Sequence, residues 1–280
     1  MENTNLRQSI ANARATGVVS EINLAQKKDK NGKDVITGTV VIKVSDTNSI
    51  TYRVYASKTT KAGEENPAWA GLQTVMSTYK SIAEVGEANA TKVYVNGQYA
   101  PSTYVSQMGV LREGIPQYRT SFFSEVKGEF HPMAEIEVEL FIRNIVPEIK
   151  DDEETGRKLL NGWINLYNGL EPVTLVVPAE MADGISDYEP GTTAIFFADV
   201  VNTETVKEVP VRLGKPRKVV SHVSELVING AEEPESEEKG FNQDAMRAAI
   251  NTYKERIEAL KSGDGQVKKA APSTKTAVAW

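Results

Sequence analysis

The feature that most constrains the fold is an order of strands and loops that occurs twice in the 280-residue chain. Near Thr16, the alternating segment TGVVSEINL leads into a Lys-rich loop, two strand-like segments, VITGTVVIKVS and SITYRVYAS, and a helix-like stretch. Near Phe130, MAEIEVELFI leads into an Asp/Glu-rich loop, LLNGWINLY, PVTLVVP and a short helix candidate. Alternation of apolar and polar residues predicts half-buried strands. The sequence therefore predicts that one small β-unit is repeated.

Three short strands, a helix and further strands are typical of a five-stranded barrel of the OB type. We expect a mainly β fold with short helices, made of two OB-like small β-barrels plus a C-terminal helix and a flexible tail. The linker between them and the helix, AEEPESEEKG, is acidic and poor in apolar residues, which predicts disorder. The expected boundaries are an N-terminal arm at 1–14, a first, basic barrel at 15–128, a second, acidic barrel at 129–230, an acidic linker at 231–240, a helix at 241–262 and a flexible tail at 263–280.

Composition excludes several classes of site. The chain has no Cys, which rules out disulfides, zinc–thiolate sites and cysteine nucleophiles. Its two histidines, His131 and His222, are isolated in sequence, and no phosphate-binding or dinucleotide motif is present. We therefore expect no enzyme activity, no metal and no cofactor. The polar N-terminus and the lack of an apolar run of about 20 residues predict a cytoplasmic protein with no membrane association.

The two halves of the chain carry opposite charge. The formal net charge is −6, but residues 1–128 contain 15 Lys and Arg against 11 acids, whereas residues 129–230 contain 9 against 18. A phosphate chain responds to the local field, because salt screens charges beyond about 8 Å at physiological ionic strength. The first barrel is therefore expected to supply most of the electrostatic attraction for a phosphate chain.

Single-stranded nucleic acid is bound by cationic grooves whose aromatic side chains stack on bases, and the first barrel offers both. Two alternatives stay open, because each tyrosine can belong to the barrel core and the Lys-rich loop can be a solvated hairpin tip. The expected nucleic-acid-binding residues are Lys27, Lys28, Lys30 and Lys33 in the Lys-rich loop, Lys43, Arg53 and Tyr55 on the next strands, Tyr94, Tyr99 and Tyr104 around a turn, Arg119 on the last strand, and Lys215, Arg217 and Lys218 in a basic turn of the second barrel.

Three further expectations concern where side chains lie. The acids Glu135, Glu137 and Glu139 alternate with apolar residues and are expected on a solvated face of their strand. Phe122 and Phe123 are adjacent, so at most one of them faces the core of a regular strand. The C-terminal helix is marginal on its own in water, so it docks on a barrel, self-associates or binds a partner.

Two stretches, LGKPRKVVSHVSELVI and GWINLYNGLEPVTLVVP, carry a resemblance to a known class of proteins. Together with the order of two barrels, acidic linker and charged helix, they resemble phage-encoded single-stranded DNA-binding proteins from phages of Gram-positive bacteria. The resemblance implies sequence-independent coating of single-stranded DNA during replication or recombination, in the cytoplasm of the host cell. Bacterial members of the wider class end on an acidic, apolar tip that recruits partners. Here the acidic run lies earlier, at Glu232–Glu238.

The chain ends in Trp280, which combines a large apolar side chain with the terminal carboxylate. Partner pockets capture such a pair together, so we expect replication or recombination proteins to bind at Trp280 through the tail. The alternative function is a phage structural or adaptor protein that uses the barrels as protein-interaction modules.

Overall fold

The computed structural model describes residues 6–236 and 238–262, with the backbone alone at 204–207 and 218–221. The prediction of a mainly β fold with short helices and a C-terminal helix is confirmed. No helix among these residues is long and apolar enough to cross a membrane. The first half contains the strands β1 (Ala11–Lys28), β2 (Asp34–Lys43) and β3 (Ser49–Ser57), the helices α1 (Pro67–Thr78) and α2 (Ile82–Val85), and the strands β4 (Lys92–Tyr99), β5 (Ser102–Val105), β6 (Leu111–Ile115), β7 (Tyr118–Arg119) and β8 (Phe123–Glu125).

The second half repeats the long strands and adds the C-terminal helix. Its elements are β9 (Met133–Lys150), β10 (Glu153–Leu166), β11 (Gly169–Val177), two 3₁₀ turns at Ala179–Met181 and Gly184–Asp187, β12 (Thr193–Val209), β13 (Arg217–Ala231) and α3 (Gln243–Lys261).

Strand pairing follows the same route in both halves. In the first circuit, β1, β2 and β3 pair antiparallel, β3 pairs parallel with β7, and β4 pairs antiparallel with both β7 and β1. In the second circuit, β9, β10 and β11 pair antiparallel, β11 pairs parallel with β13, and β12 pairs antiparallel with both β13 and β9. Each strand of the first circuit therefore has a counterpart in the second.

The two circuits are joined through β1. Residues 12–16 of this strand pair with β4 on one side and with β9 on the other, which gives an 11-stranded sheet. The predicted arm at 1–14 is therefore wrong at its inner end, because the chain is already a paired strand from Ala11. Ala13 and Ala15 are fully buried at this joint.

One apolar core runs through both circuits. On β3, Ile50, Tyr52, Val54 and Ala56 are buried while the residues between them are exposed, as a strand with one solvated face requires. The helix α1 begins with Pro67 after the cap residue Asn66, whose side chain accepts a hydrogen bond from the Ala68 amide, and it adds the buried side chains of Trp69 and Leu72 to this core.

The acidic linker is ordered where it is described, so the prediction of disorder is wrong there. The amide of Glu232 donates to the carbonyl of Ile195 at 2.9 Å, and the amide of Glu235 donates to that of Thr193 at 2.7 Å. These bonds extend the pairing along β12. They offset the loss of chain entropy on ordering, which composition alone does not take into account.

Glu139 also differs from its prediction, because it is buried rather than solvated. Its side chain is 3% exposed and accepts two hydrogen bonds from the Arg7 guanidinium, at 2.5 and 2.6 Å. The same guanidinium donates to the Lys239 carbonyl at 2.9 Å and lies 4.5 Å from the ring centre of Phe241. Arg7 thus ties the N-terminal segment, the second circuit and the linker together.

We expect Arg7→Ala to lower the free energy of unfolding by about 2–3 kcal/mol, because it leaves a buried carboxylate without its partner. The value is below that of a fully buried pair because Arg7 is 48% exposed. Arg14→Ala is the control: Arg14 pairs at 2.7 Å with Glu137, whose side chain is 20% exposed, so the carboxylate left behind stays hydrated and the loss is under about 1 kcal/mol. Urea unfolding of both variants measures the difference, and equal losses would contradict a special role for Arg7.

Candidate nucleic-acid interface

The outer side of β2, β3, β7 and β4 forms an open groove on the first circuit. Tyr55 and Phe122 are 57% and 61% exposed there, so both rings are free to contact a ligand. We call this surface the first face and define it by Thr37, Thr39, Thr51, Arg53, Tyr55, Arg119 and Phe122, which line the groove.

A tight turn after β7 holds Phe122 beside Tyr55. The Thr120 hydroxyl accepts a hydrogen bond from the Phe122 amide and contacts the carbonyl of Asn96, each at 3.1 Å, and the Ser121 hydroxyl donates to the Tyr55 carbonyl at 2.9 Å. Phe123 points the other way and lies 6.5 Å from the buried ring of Tyr52. Adjacent residues of a strand face opposite sides, and Phe122 and Phe123 do so here. Phe122 is therefore a candidate site residue that was not among the residues expected from the sequence.

Two arginines lie side by side on the same surface as these rings. Arg53 on β3 and Arg119 on β7 are register partners in the parallel pair, and both are exposed. Neither forms an ion pair with any residue in the described part of the chain. Like charges facing each other across a sheet are destabilising, so this pair favours an anionic ligand.

Lys43 was expected to join this cationic surface, but its charge is already compensated. Its ammonium group is 2.8 Å from Asp46 and 2.7 Å from Glu87. Hydrogen bonds to Asp46 and then Glu87 raise the pKa of Lys43. Lys43 lines the groove between the two circuits rather than the first face.

The expected tyrosines divide into two groups, and Tyr99 is a correction. Tyr99 is 1% exposed, packs against Tyr118 at 5.9 Å between ring centres, and has its pKa raised by burial, so it belongs to the core and is not available for stacking. Tyr94 and Tyr104 are 38% and 43% exposed, but both lie off the first face. Tyr94 and Tyr99 are five positions apart on β4, and an odd spacing already places them on opposite sides.

The Lys-rich loop is the exposed tip of the β1–β2 hairpin. Asp29 organises the tip by accepting hydrogen bonds from the amides of Asn31 and Lys33, at 2.8 and 2.9 Å, and the bond from Lys33 is the main cause of its lowered pKa. Lys28 pairs with Asp34 at 2.9 Å. All four predicted lysines, Lys27, Lys28, Lys30 and Lys33, are exposed, beyond the end of the first face.

The second basic turn lies at the tip of the β12–β13 hairpin. Lys215 and Arg217 are exposed there, next to Leu213, which is 95% exposed. The side chain of Lys218 and the whole of Trp280 lie outside the described residues, as does the predicted flexible tail at 263–280.

The C-terminal helix docks on the second circuit, which decides among the three alternatives left open for it. Tyr253 of α3 packs edge-to-face on Trp163 of β10, with 4.9 Å between ring centres, and Met246 and Ile257 are buried in the same cluster. A polar contact also holds the helix, because Arg256 of α3 pairs with Glu171 of β11 at 3.0 Å.

With this geometry in place, comparisons with known proteins give the family. The family model described as YorF matches residues 10–263. The chain belongs to the YorF family. None of the curated proteins compared with the chain matches it.

Two solved structures resemble the YorF chain in fold. Wild-type single-stranded DNA-binding protein from Thermus aquaticus aligns with a TM-score of 0.51 at 9% identity, over 82% of this chain and 95% of that chain. A deletion variant of the same protein, which also carries a substitution, aligns with a TM-score of 0.49 at 9% identity, over 82% and 96%. The first likeness shows a shared fold.

We expect a chain ending after Gly240 to be less stable by several kcal/mol, because each buried side chain of α3 contributes about 1.5–3 kcal/mol. The control ends after Ser262 and keeps α3. Both variants lack Trp280, so their fluorescence reports Trp69 and Trp163 alone. The shorter variant should show a red-shifted emission as Trp163 becomes hydrated, and identical spectra and urea midpoints would contradict the docking of α3.

Proposed function

We propose that this protein binds single-stranded DNA without sequence preference, on the first face of a tandem pair of OB-type barrels, during phage replication or recombination. The observation that carries the proposal is the adjacent pair of Arg53 and Arg119, which has no ion-pair partner among the described residues and shares the first face with the exposed rings of Tyr55 and Phe122. The two arginines bind backbone phosphates, and the rings stack on bases, which is sequence-tolerant because every base has a π-face.

Three further features support this function. The strand route of the first circuit places Arg53 and Tyr55 on the third strand, and the second- and third-strand face of OB-type barrels is a common oligonucleotide surface. The Lys-rich loop joins the first two strands, at another position that such barrels use for nucleic acid. The fold is shared with a protein from Thermus aquaticus that is named for binding single-stranded DNA.

The adaptor alternative predicts a different response to salt. A protein that neutralises phosphates releases counterions, so its affinity for oligo-dT falls steeply as salt rises. Fluorescence anisotropy of labelled oligo-dT at low and moderate salt separates the two functions. An adaptor protein would show no salt-dependent binding of oligo-dT, and that result would overturn the proposed function.

We expect Tyr55→Ala to weaken binding of oligo-dT by roughly 5- to 150-fold, the equivalent of about 1–3 kcal/mol for one lost base stack. The control is Tyr167→Ala, which removes a tyrosine that is 85% exposed on the turn between β10 and β11, away from the first face. Both melting temperatures should stay close to wild type because both rings are exposed. Anisotropy titrations give the affinities, and equal affinities of the two variants would remove Tyr55 from the interface.

Neutralising Lys27, Lys28, Lys30 and Lys33 together should weaken binding for every sequence and flatten its dependence on salt. Each lost phosphate contact reduces the slope of log affinity against log salt by about 0.7 for single strands. A matched variant removes four exposed lysines elsewhere, Lys80, Lys127, Lys254 and Lys261, and should keep the wild-type slope. If the loop variant also keeps that slope, the loop is a solvated hairpin tip and not a phosphate contact.

A further inference from the structure

The second circuit contains a counterpart of the first face, and two glycines fix the correspondence. Gly38 on β2 pairs with Val54, and Gly162 on β10 pairs with Val173. At both glycines an added Cβ would press against a backbone carbonyl of the preceding strand, at 1.9 Å and 3.1 Å respectively. The same register therefore relates β2 and β3 to β10 and β11.

This register shows that the second face lacks the groups that make the first face a binding surface. Counting from the paired valines, Arg53 corresponds to Pro172 and Tyr55 corresponds to Thr174. The second face thus offers neither the cation for a phosphate nor the ring for a base at these two positions.

The rest of the second face is covered by the protein itself. Trp163 and Leu170 occupy the positions of Thr39 and Thr51, and both are buried in the cluster that α3 forms. The β5–β6 hairpin covers Pro172, since an added Cβ on Gly114 would lie 2.4 Å from the Pro172 carbonyl oxygen.

A polar cluster holds these covering elements in place. Glu171 of β11 accepts hydrogen bonds from Thr103 of β5 at 2.7 Å and from Arg256 of α3 at 3.0 Å. The Tyr253 hydroxyl donates to Glu113 of β6 at 2.7 Å. The hairpin, β11 and α3 share these bonds, so the second face is closed. A DNA strand that lies on the first face therefore cannot continue onto the second face.

A second groove continues from the first face and runs between the circuits. We call it the junction groove. It shares Thr51 and Arg53 with the first face, so the two surfaces are continuous. Side chains from both circuits line it, including Lys43 and Tyr104 from the first and Asn202 and Ser224 from the second.

One buried side chain fixes the shape of this groove. Tyr118 is 5% exposed and lines the groove. Burial raises the pKa of Tyr118, and a hydrogen bond with the Asn202 side chain lowers it in part. The Tyr118 hydroxyl is thus held inside the protein between the two circuits, where a DNA strand in the groove does not reach it.

We propose that the junction groove binds the next segment of the DNA strand, in place of the second face. The inference rests on the proposed function of the first face. Arg53 lies where the two surfaces meet, so it contacts the phosphate at which the strand turns into the groove. Tyr104, which is 43% exposed, then stacks on a base.

The test compares oligo-dT of about 5 and about 16 nucleotides, which span the site sizes of one OB fold. The variant Tyr104→Ala should bind the short oligonucleotide as wild type does and the long one roughly ten-fold more weakly. Its melting temperature should stay close to that of wild type, because the Tyr104 side chain is exposed.

Two control variants test whether a loss of affinity is specific to the junction groove. Tyr167→Ala removes another exposed tyrosine, which lies on the turn between β10 and β11 and lines neither the first face nor the junction groove, and should leave both affinities unchanged. Arg143→Ala removes an exposed charge beside the second face and should also leave both unchanged.

Several outcomes would overturn the junction groove while leaving the first face in place. These are wild-type affinity of Tyr104→Ala for the long oligonucleotide, an equal loss for the short and long oligonucleotides, or a loss on Arg143→Ala that matches that of Tyr104→Ala. If the wild-type protein binds neither oligonucleotide, the proposed function fails and this inference fails with it.

Discussion

The rest of the structure depends on β1, because this one strand belongs to both halves of the molecule. Residues 12–16 pair with β4 and β9 at once, while residues 18–28 pair with β2. Paired strands lie about 4.8 Å apart with fixed register, so the two circuits cannot rotate freely against each other. The contacts of Asn48 with the Val200 carbonyl and the Asn202 amide, at 2.8 and 3.0 Å, reinforce this geometry and shape the groove between the circuits.

The two circuits share one order of paired strands, but they use the outer side of their second and third strands differently. The first circuit leaves the outer side of its second and third strands open, with Arg53 and Tyr55 on it. The second circuit uses the same side to bind α3, and its Trp163 packs on Tyr253. A helix of this length is marginal alone in water, so the apolar side of β10 and β11 supplies the burial that α3 needs. The fold is thus repeated, but the chemistry of its outer face is not.

The sequence predicted what depends on local periodicity and missed what depends on distant contacts. Alternation predicted the strands, and the expected C-terminal helix is α3, whose first amides Asn242 caps. Alternation also predicts that Tyr94 and Tyr99 face opposite sides of β4, because they are five positions apart, so the two could not both be exposed for stacking on one face. It could not show that Glu139 is buried, because its partner Arg7 is 132 residues away. Composition likewise could not show that the linker pairs with β12.

The two adjacent arginines show how binding and folding are linked on the first face. Opposed like charges in a sheet cost roughly 0.2–1 kcal/mol, and nothing in the described residues neutralises Arg53 or Arg119. The element that carries Arg119 is also the shortest strand, with two residues, Tyr118 and Arg119. It closes the first circuit through one parallel and one antiparallel pairing. An anion bound between the arginines would remove their repulsion and stabilise this closure. Functional sites are often the places where a sequence departs from the preferences that stabilise a fold, and this pair of opposed like charges is such a place. The second circuit has Pro172 in place of Arg53, so it has no such pair of opposed charges. Its closing strand β13 is also longer, with 15 residues.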